Sequence, residues 1–425
     1  MREMKNSEVR WLGMIPKAWD LDKIVSLYSE RSTKVSDRDY PALSVTKQGI
    51  VPQLESAAKT DNGDNRKLIK KNDFVINSRS DRRGSCGISE YEGSCSLINT
   101  VLAPKNNMVN QYYNYLFKTE LFADEFYKWG NGIVDDLWST KWSSMKNIMV
   151  PFPPLKEQRI IADYLDIKCT QIDTIIAKEQ SIIEKLQEYK KAIITQAITR
   201  GLNSSAKMKK TGFEWIGMIP KHWNVKKIKY LTSKIGSGKT PKGGSDIYVD
   251  EGVLFIRSQN VYDGYFDLSS AVFISHEIDC TMSNTRVYRD DVLLNITGGS
   301  IGRSCLYESD ELANVNQHVC IIRCNSQMRP KFMQYFWNSS IGKTSIDIYQ
   351  SGANREGLNF FEIGNTVVPT PELYEQDKII SYLDDKCDSI DRVISQKLTI
   401  IDTLAEYKRS LIYEVVTGKK EVPHV

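Results

Sequence analysis

One nine-residue phrase is written twice, and it constrains this chain more than any other feature. W-[LI]-G-M-I-P-K-x-W runs from Trp11 to Trp19 and again from Trp215 to Trp223, so that Gly13, Met14, Ile15, Pro16 and Lys17 recur as Gly217, Met218, Ile219, Pro220 and Lys221. A longer pair follows. "VPFPPLKEQRIIADYLDIKCTQID…" from Val150 to Thr199 matches "VPTPELYEQDKIISYLDDKCDSID…" from Val368 to Thr417, with Glu157/Glu375, Gln158/Gln376, Cys169/Cys387, Asp173/Asp391 and Lys190/Lys408 in one register. The chain therefore reads strap, variable block, helical block, and the same three again. A single strap of two indoles is a packing device, but a repeated one implies a repeated domain.

The 425 residues exceed one ordinary core, which agrees with two or three domains. Apolar content of 41% and charged content of 26% are those of a soluble globular protein. No apolar run has the length of a membrane span, and "MREMKNSEVR" lacks the apolar segment of a signal peptide. The eight cysteines form no CxxC pair and no His-ligand spacing, so neither a zinc site nor a disulfide framework is indicated and a reducing cytoplasm is the expectation. A net charge of +4 permits nucleic-acid binding through local patches without arguing for it.

In the first helical block Ile172, Ile175, Ile176, Ile182, Ile183, Leu186, Tyr189, Ile193 and Ala197 recur at spacings of three and four; Ile390, Val393, Ile394, Ile400, Ile401, Leu404, Tyr407, Leu411 and Val415 do so in the second. Neither stretch contains Pro or Gly, and Glu and Lys fill the other face. This is a coiled-coil seam of about four heptads. Each helix starts after a Pro-rich turn, and a break into a short and a long helix is expected near 166–170 and 384–388. One such stripe alone would pack on its own domain. Two of matched length bury each other most simply, in antiparallel pairing, with Ile172, Ile175, Ile182, Leu186, Tyr189 and Ile193 facing Ile390, Val393, Ile400, Leu404, Tyr407 and Leu411.

The variable blocks, about 24–149 and 228–367, alternate short β-branched stretches ("NDFVINS", "GVLFIRSQN", "DDVLLNIT", "HVCIIRC") with Gly, Asn and Asp turns. Helices are expected within 110–129 and 329–349. "DFVINSRSDRRGSC" corresponds to "DVLLNITGGSIGRSC", setting Asn77 against Asn295, and "LINTVLAP" to "NVNQHVCIIR", setting Asn99 against Asn316. The apolar frame is shared and the polar tips differ, as two ligands would require. The fold class is thus α+β: two similar globular domains with bent, mixed-pairing sheets, joined by two long helices in an antiparallel coiled coil with a pseudo-two-fold repeat.

Catalytic constellations are missing from the sequence. "KIGSGKT" resembles a phosphate loop, but Ser233 occupies the position that needs its first glycine. "NITG" at Asn295 is not the Asn-Pro-Pro-Tyr pocket of a base-flipping methyltransferase. The four histidines are scattered, with no metal or triad spacing.

The strap, "LLNITGGSIGRS" followed by "ANVNQHVCIIR", "GANREGLNFFEIGNTVVPTPELYEQ" and the helical close together resemble the specificity subunit of type I restriction–modification systems, over both repeats. The first half departs from the pattern: "NSRSDRRGSC" lacks the Asn-x-Thr-Gly form and "NGIVDDLWSTKW" the Gly-Ala-x-Arg form. The resemblance implies target recognition domains at 1–154 and 206–372, each reading half of a split DNA sequence, with spacer helix regions at 155–205 and 373–425. It also implies two modification (methyltransferase) subunits that methylate adenine, motor-nuclease restriction subunits, and no catalysis by this chain. Cofactors would then sit on the partners (S-adenosylmethionine, ATP and magnesium), with none in this chain. A rod over 171–199 of ~43 Å is commensurate with half-sites ~34–36 Å apart.

Arg and Lys specify guanine, and Asn and Gln adenine, through major-groove edges. The candidate readers are Lys47, Gln48, Asn77, Arg79, Arg82 and Arg83 in the first block. In the second they are Lys239, Arg257, Gln259, Asn260, Asn295, Arg303, Gln317 and Arg355. A phosphate contact or a turn bond competes with base readout at each of them. The rival readings are a DNA-modifying enzyme with its site in one block, a scaffold that gathers partners on its helices, and a recognition subunit of a related system.

Overall fold

A computed structural model describes residues 2–53, 63–132, 138–241, 243–350 and 357–423. The chain forms two compact units, Met1–Glu179 with Leu398–Val425, and Gln180–Lys397. Each contains one strap, one variable block and a half of each long helix.

The reason the strap repeats is visible in its bonds. Gly13 and Gly217 turn the chain at φ +66° and +74°, a conformation that favours glycine. Their amides close back on the Val9 and Phe213 carbonyls at 3.0 and 2.9 Å. Lys17 and Lys221 donate their backbone N–H to Glu3 and Lys207, and Trp19 and Trp223 theirs to Pro16 and Pro220. Both of these tryptophans are fully buried. The indole N–H of Trp19 donates to Glu157 and that of Trp223 to Glu375, both at 2.8 Å. Those glutamates lie in the first turns of the long helices, so each strap clamps a helix start.

The adjacent glutamine completes the joint. Gln158 donates to the Pro153 carbonyl at 2.8 Å and accepts from the Val109 amide at 2.9 Å. Gln376 does the same with Pro371 at 2.9 Å and Arg329 at 2.8 Å. Both amides are buried and satisfied, which is what an interior polar side chain requires. Tyr115 and Tyr335 then donate to Asp166 and Asp384, two turns further along.

In the first unit the strands Cys86–Ile88, Phe74–Asn77, Asn99–Pro104 and Tyr28–Glu30 form an antiparallel sheet, and Gly93–Cys95, Arg66–Ile69 and Lys34–Val35 a second. Trp11, Trp19, Tyr28, Phe74, Tyr112, Tyr113, Phe117 and Phe122 pack its core against the start of the first long helix and the end of the second. The second unit repeats the first sheet as Thr232–Ser237, Val319–Cys324, Val292–Asn295 and Ser304–Leu306. A larger sheet beside it has five strands, among which Val253–Ile256 runs parallel to Ala313–Val315. The straps lie 204 residues apart (Trp11 to Trp215) and the helices 218 (Asp173 to Asp391), so the second block is 14 residues longer. That length accompanies the added strands Tyr248–Val249 and Val272–Ile274. The expected block helices are present, each in two pieces: Asn110–Phe117 with Glu120–Lys128, and Pro330–Asn338 with Ser340–Gln350.

The long helices differ from expectation in one respect. Leu155–Arg200 and Leu373–Val416 are continuous, without the break expected near 166–170 and 384–388. "DIKCT" and "DDKCD" hold no Pro or Gly, and the tyrosine bonds to Asp166 and Asp384 act on side chains without interrupting the backbone ladder. Antiparallel pairing holds in each unit. Lys408 bonds both oxygens of Asp173 at 2.7 Å in the first unit, and Lys190 those of Asp391 at 2.7 and 2.6 Å in the second. The same contact is made twice with the helices exchanging roles.

The seam is narrower than the pairing set assigned to it. Ile172, Ile193, Ile390 and Leu411 are buried, and Leu186 and Leu404 half-buried. Ile175, Ile182, Tyr189, Val393, Ile400 and Tyr407 are 38–55% exposed, while Ile183 is buried and Ile176, Ile394 and Ile401 are half-buried. Adjacent apolar pairs such as Ile182–Ile183 satisfy the same heptad, and only packing chooses between them.

Candidate nucleic-acid interface

In the first unit the predicted readers lie on two hairpin turns. Lys47 and Gln48 occupy the turn between Leu43–Thr46 and Gly49–Pro52, and both are exposed. Asn77 ends its strand and accepts the Arg79 amide at 3.0 Å, so its carbonyl oxygen builds the turn that projects Arg79. Arg79, Arg82 and Arg83 are all exposed. Arg82 faces Asp81 at 3.5 Å and Arg83 pairs with Asp124. Arg79 forms no ion pair among the described residues.

In the second unit six of the eight predicted readers fall into three groups. Gln259 and Arg257 both reach Ser270: Gln259 donates to its hydroxyl at 3.0 Å and Arg257 to its carbonyl at 2.6 Å. Behind them Asn260 donates to the Asp267 carbonyl, and Asn295 donates to the Ser258 carbonyl at 2.7 Å. Asn260 and Asn295 are 1% and 0% exposed, so they hold the 258–260 turn and present Gln259. The second group is Gln317, exposed, bonded to His318 at 3.1 Å, with Thr297 on the other imidazole nitrogen at 2.6 Å. The third is Arg303, half-buried, lying 4.6 Å above the Tyr262 ring, which stacks on Tyr265.

Lys239 is exposed just past Gly238. A Cβ at Gly238 would lie 1.5 Å from the Val315 carbonyl oxygen, so this glycine serves a close backbone crossing. Arg355 lies outside the described residues. Among the described residues no group of His, Cys, Asp or Glu could hold a metal ion, and no helix is long and apolar enough to cross a membrane.

Strand register corrects one correspondence. Asn99 pairs with Asn77, and Val319 pairs with Asn295, so Asn99 is the counterpart of Val319 and not of Asn316. The counterpart of Asn316 is Ser96, and Leu97 and Ile98 stand where the second unit has Gln317 and His318. Sequence reasoning missed these two tip residues because it aligned asparagine on asparagine.

The profile of the type I restriction modification DNA specificity domain matches residues 28–188 and again 220–400. The chain belongs to this family. Both matches take in a variable block and part of a long helix, so it is a DNA-recognition subunit with two DNA specificity domains, non-catalytic as specificity subunits are. It is 27% identical to the EcoBI specificity subunit of Escherichia coli over 279 residues, 62% of this chain but only 57% of that relative. To the MjaVIII specificity subunit of Methanocaldococcus jannaschii it is 26% identical, covering 84% of this chain and 81% of the relative. A chain from a solved structure on complex assembly and conformational transition of the type I R-M system shares the fold at TM-score 0.72 and 12% identity, covering 96% and 99% of the two chains. The HsdS subunit from Thermoanaerobacter tengcongensis shares it at TM-score 0.52 and 12% identity, covering 96% and 98%.

Proposed function

We propose that each unit reads one half of a bipartite DNA target, and that the long helices fix the unread gap and dock two modification subunits. The observation that carries the reading is a frame repeated to the atom, Trp–Glu clamp and Gln joint included, bearing tips that differ. Lys47, Gln48, Arg79, Arg82 and Arg83 are the readers of the first half, with Asn77 building their turn. Lys239, Arg257, Gln259, Arg303 and Gln317 read the second, with Asn260 and Asn295 as frame; Arg355 keeps its assignment from sequence.

The docking face is the apolar stripe left outside the seam. Within the first unit the register set by Lys408–Asp173 places Ile175 level with Tyr407, and within the second Lys190–Asp391 places Val393 level with Tyr189. Exposed apolar pairs at heptad spacing fit a partner helix. Those partners would hold S-adenosylmethionine, and restriction subunits with ATP and magnesium would join for cleavage. A cytoplasmic, DNA-associated complex follows. Mapping methylated adenines in cells with and without this gene tests the reading: a split motif with a fixed gap, lost on deletion, is the expected result.

A further inference from the structure

The two units carry different side chains on the link that joins the paired sheets, after Gly93–Cys95 in one and Ala313–Val315 in the other. In the second unit this link carries Gln317 and His318. In the first it carries Leu97 and Ile98, whose large apolar side chains are 41% and 39% exposed. They are not loose ends. The Ile98 carbonyl accepts from both the backbone amide and the hydroxyl of Ser78, so the link is pinned to the turn that projects Arg79.

Leu97 and Ile98 line an open groove of about 640 Å³ whose charged members among the described residues are Lys67, Arg79, Lys141, Lys146 and the carboxylate of Glu30. Glu30 and the Asn99 carbonyl occupy Lys67. Lys141 and Lys146 flank the short helix Trp142–Met145 and form no ion pair among the described residues. An apolar tip between free cations fits a duplex, whose phosphates meet the lysines while a base edge meets the tip. In the major groove the one apolar feature of a base edge is the thymine C5-methyl group.

We propose, building on the DNA-reading function above, that Leu97 and Ile98 read thymine methyl groups in the first half-site and that Lys141 and Lys146 hold the flanking phosphates. The second unit uses the same position differently, with the Gln317 amide held by His318 and suited to adenine. A common frame thus converts between methyl readout and amide readout by exchanging two residues.

The test uses the full chain with its modification subunits and duplexes of the mapped target, each thymine replaced in turn by uracil. Wild-type binding should weaken about fourfold per methyl lost at one or two positions of the first half-site. L97A/I98A should bind natural and uracil duplexes equally, with an unchanged unfolding temperature. K141A/K146A should weaken binding to all sequences alike and flatten its salt dependence. Equal wild-type affinity for uracil duplexes, as a minor-groove wedge or a protein-docking patch would give, overturns the proposal while leaving the DNA reading intact. So does a first half-site without thymine, or discrimination retained in L97A/I98A. No sequence-specific binding of the wild type at all would instead remove the DNA reading and this proposal with it.

Discussion

The two units share their joints and differ at their edges. Around Trp19 and Trp223 the donor, the acceptor and the 2.8 Å distance are the same, yet the group that completes each clamp is not. In the first unit Arg2 pairs with Glu157 at 2.5 Å and lies 4.8 Å over the Trp19 ring. In the second His222, the residue beside the tryptophan, meets Glu375 at 2.9 Å on the same oxygen that accepts the indole N–H, whereas Arg2 binds the other oxygen of Glu157. The buried half of the joint tolerates one solution because an unpaired indole N–H or carboxylate there is costly. Its solvent side tolerates several. The same rule separates frame from reader in the blocks: the buried Asn295 amide donates to a backbone carbonyl, whereas Arg79 and Gln317 project outward from a strand frame that both units share.

The largest stability effect should come from the tryptophans. Trp19→Ala and Trp223→Ala should each cost about 3–5 kcal/mol, and each should loosen only its own unit. Hydrogen exchange resolved along the chain checks this, and losses spread evenly over both units would break the comparison. A smaller and unequal effect is expected at the solvent side. Arg2→Ala should cost more than His222→Ala, because the arginine side chain is 22% exposed and the imidazole 57%; paired denaturant unfolding of the two variants reads the difference. The smallest effect is at the helix ion pairs. Double-mutant cycles on Lys408–Asp173 and Lys190–Asp391 should each give about 0.2–1 kcal/mol and agree with one another. A large coupling in one alone would mean that the repeat is broken there.

Much of this architecture was legible in the sequence because it rests on residues whose roles are nearly unique. A fully buried tryptophan, a glycine at positive φ and a glutamine bonded to two backbone groups leave few substitutes, so they recur unchanged. The strands around Asn77 and Asn295 and the presence of two long apolar-striped helices were equally readable from periodicity. What escaped was set by packing and register. The choice within Ile182–Ile183 depends on which residue meets the partner helix. The continuity of the helix at Asp166–Thr170 depends on a backbone that no residue there interrupts. The pairing of Asn99 with Asn77 depends on a ladder, and a match of residue types misplaced it by three positions. The same slip hid Leu97 and Ile98, whose significance lies in what stands opposite them in the repeat.

The central claim is that one frame, written twice, carries two independent readers. Exchanging residues 24–149 for the corresponding block of a relative, and then mapping methylated adenines across the genome, tests it most directly. The account predicts a split motif in which one half changes, the other half is retained and the gap keeps its length. A change in both halves, or in the gap alone, would contradict it.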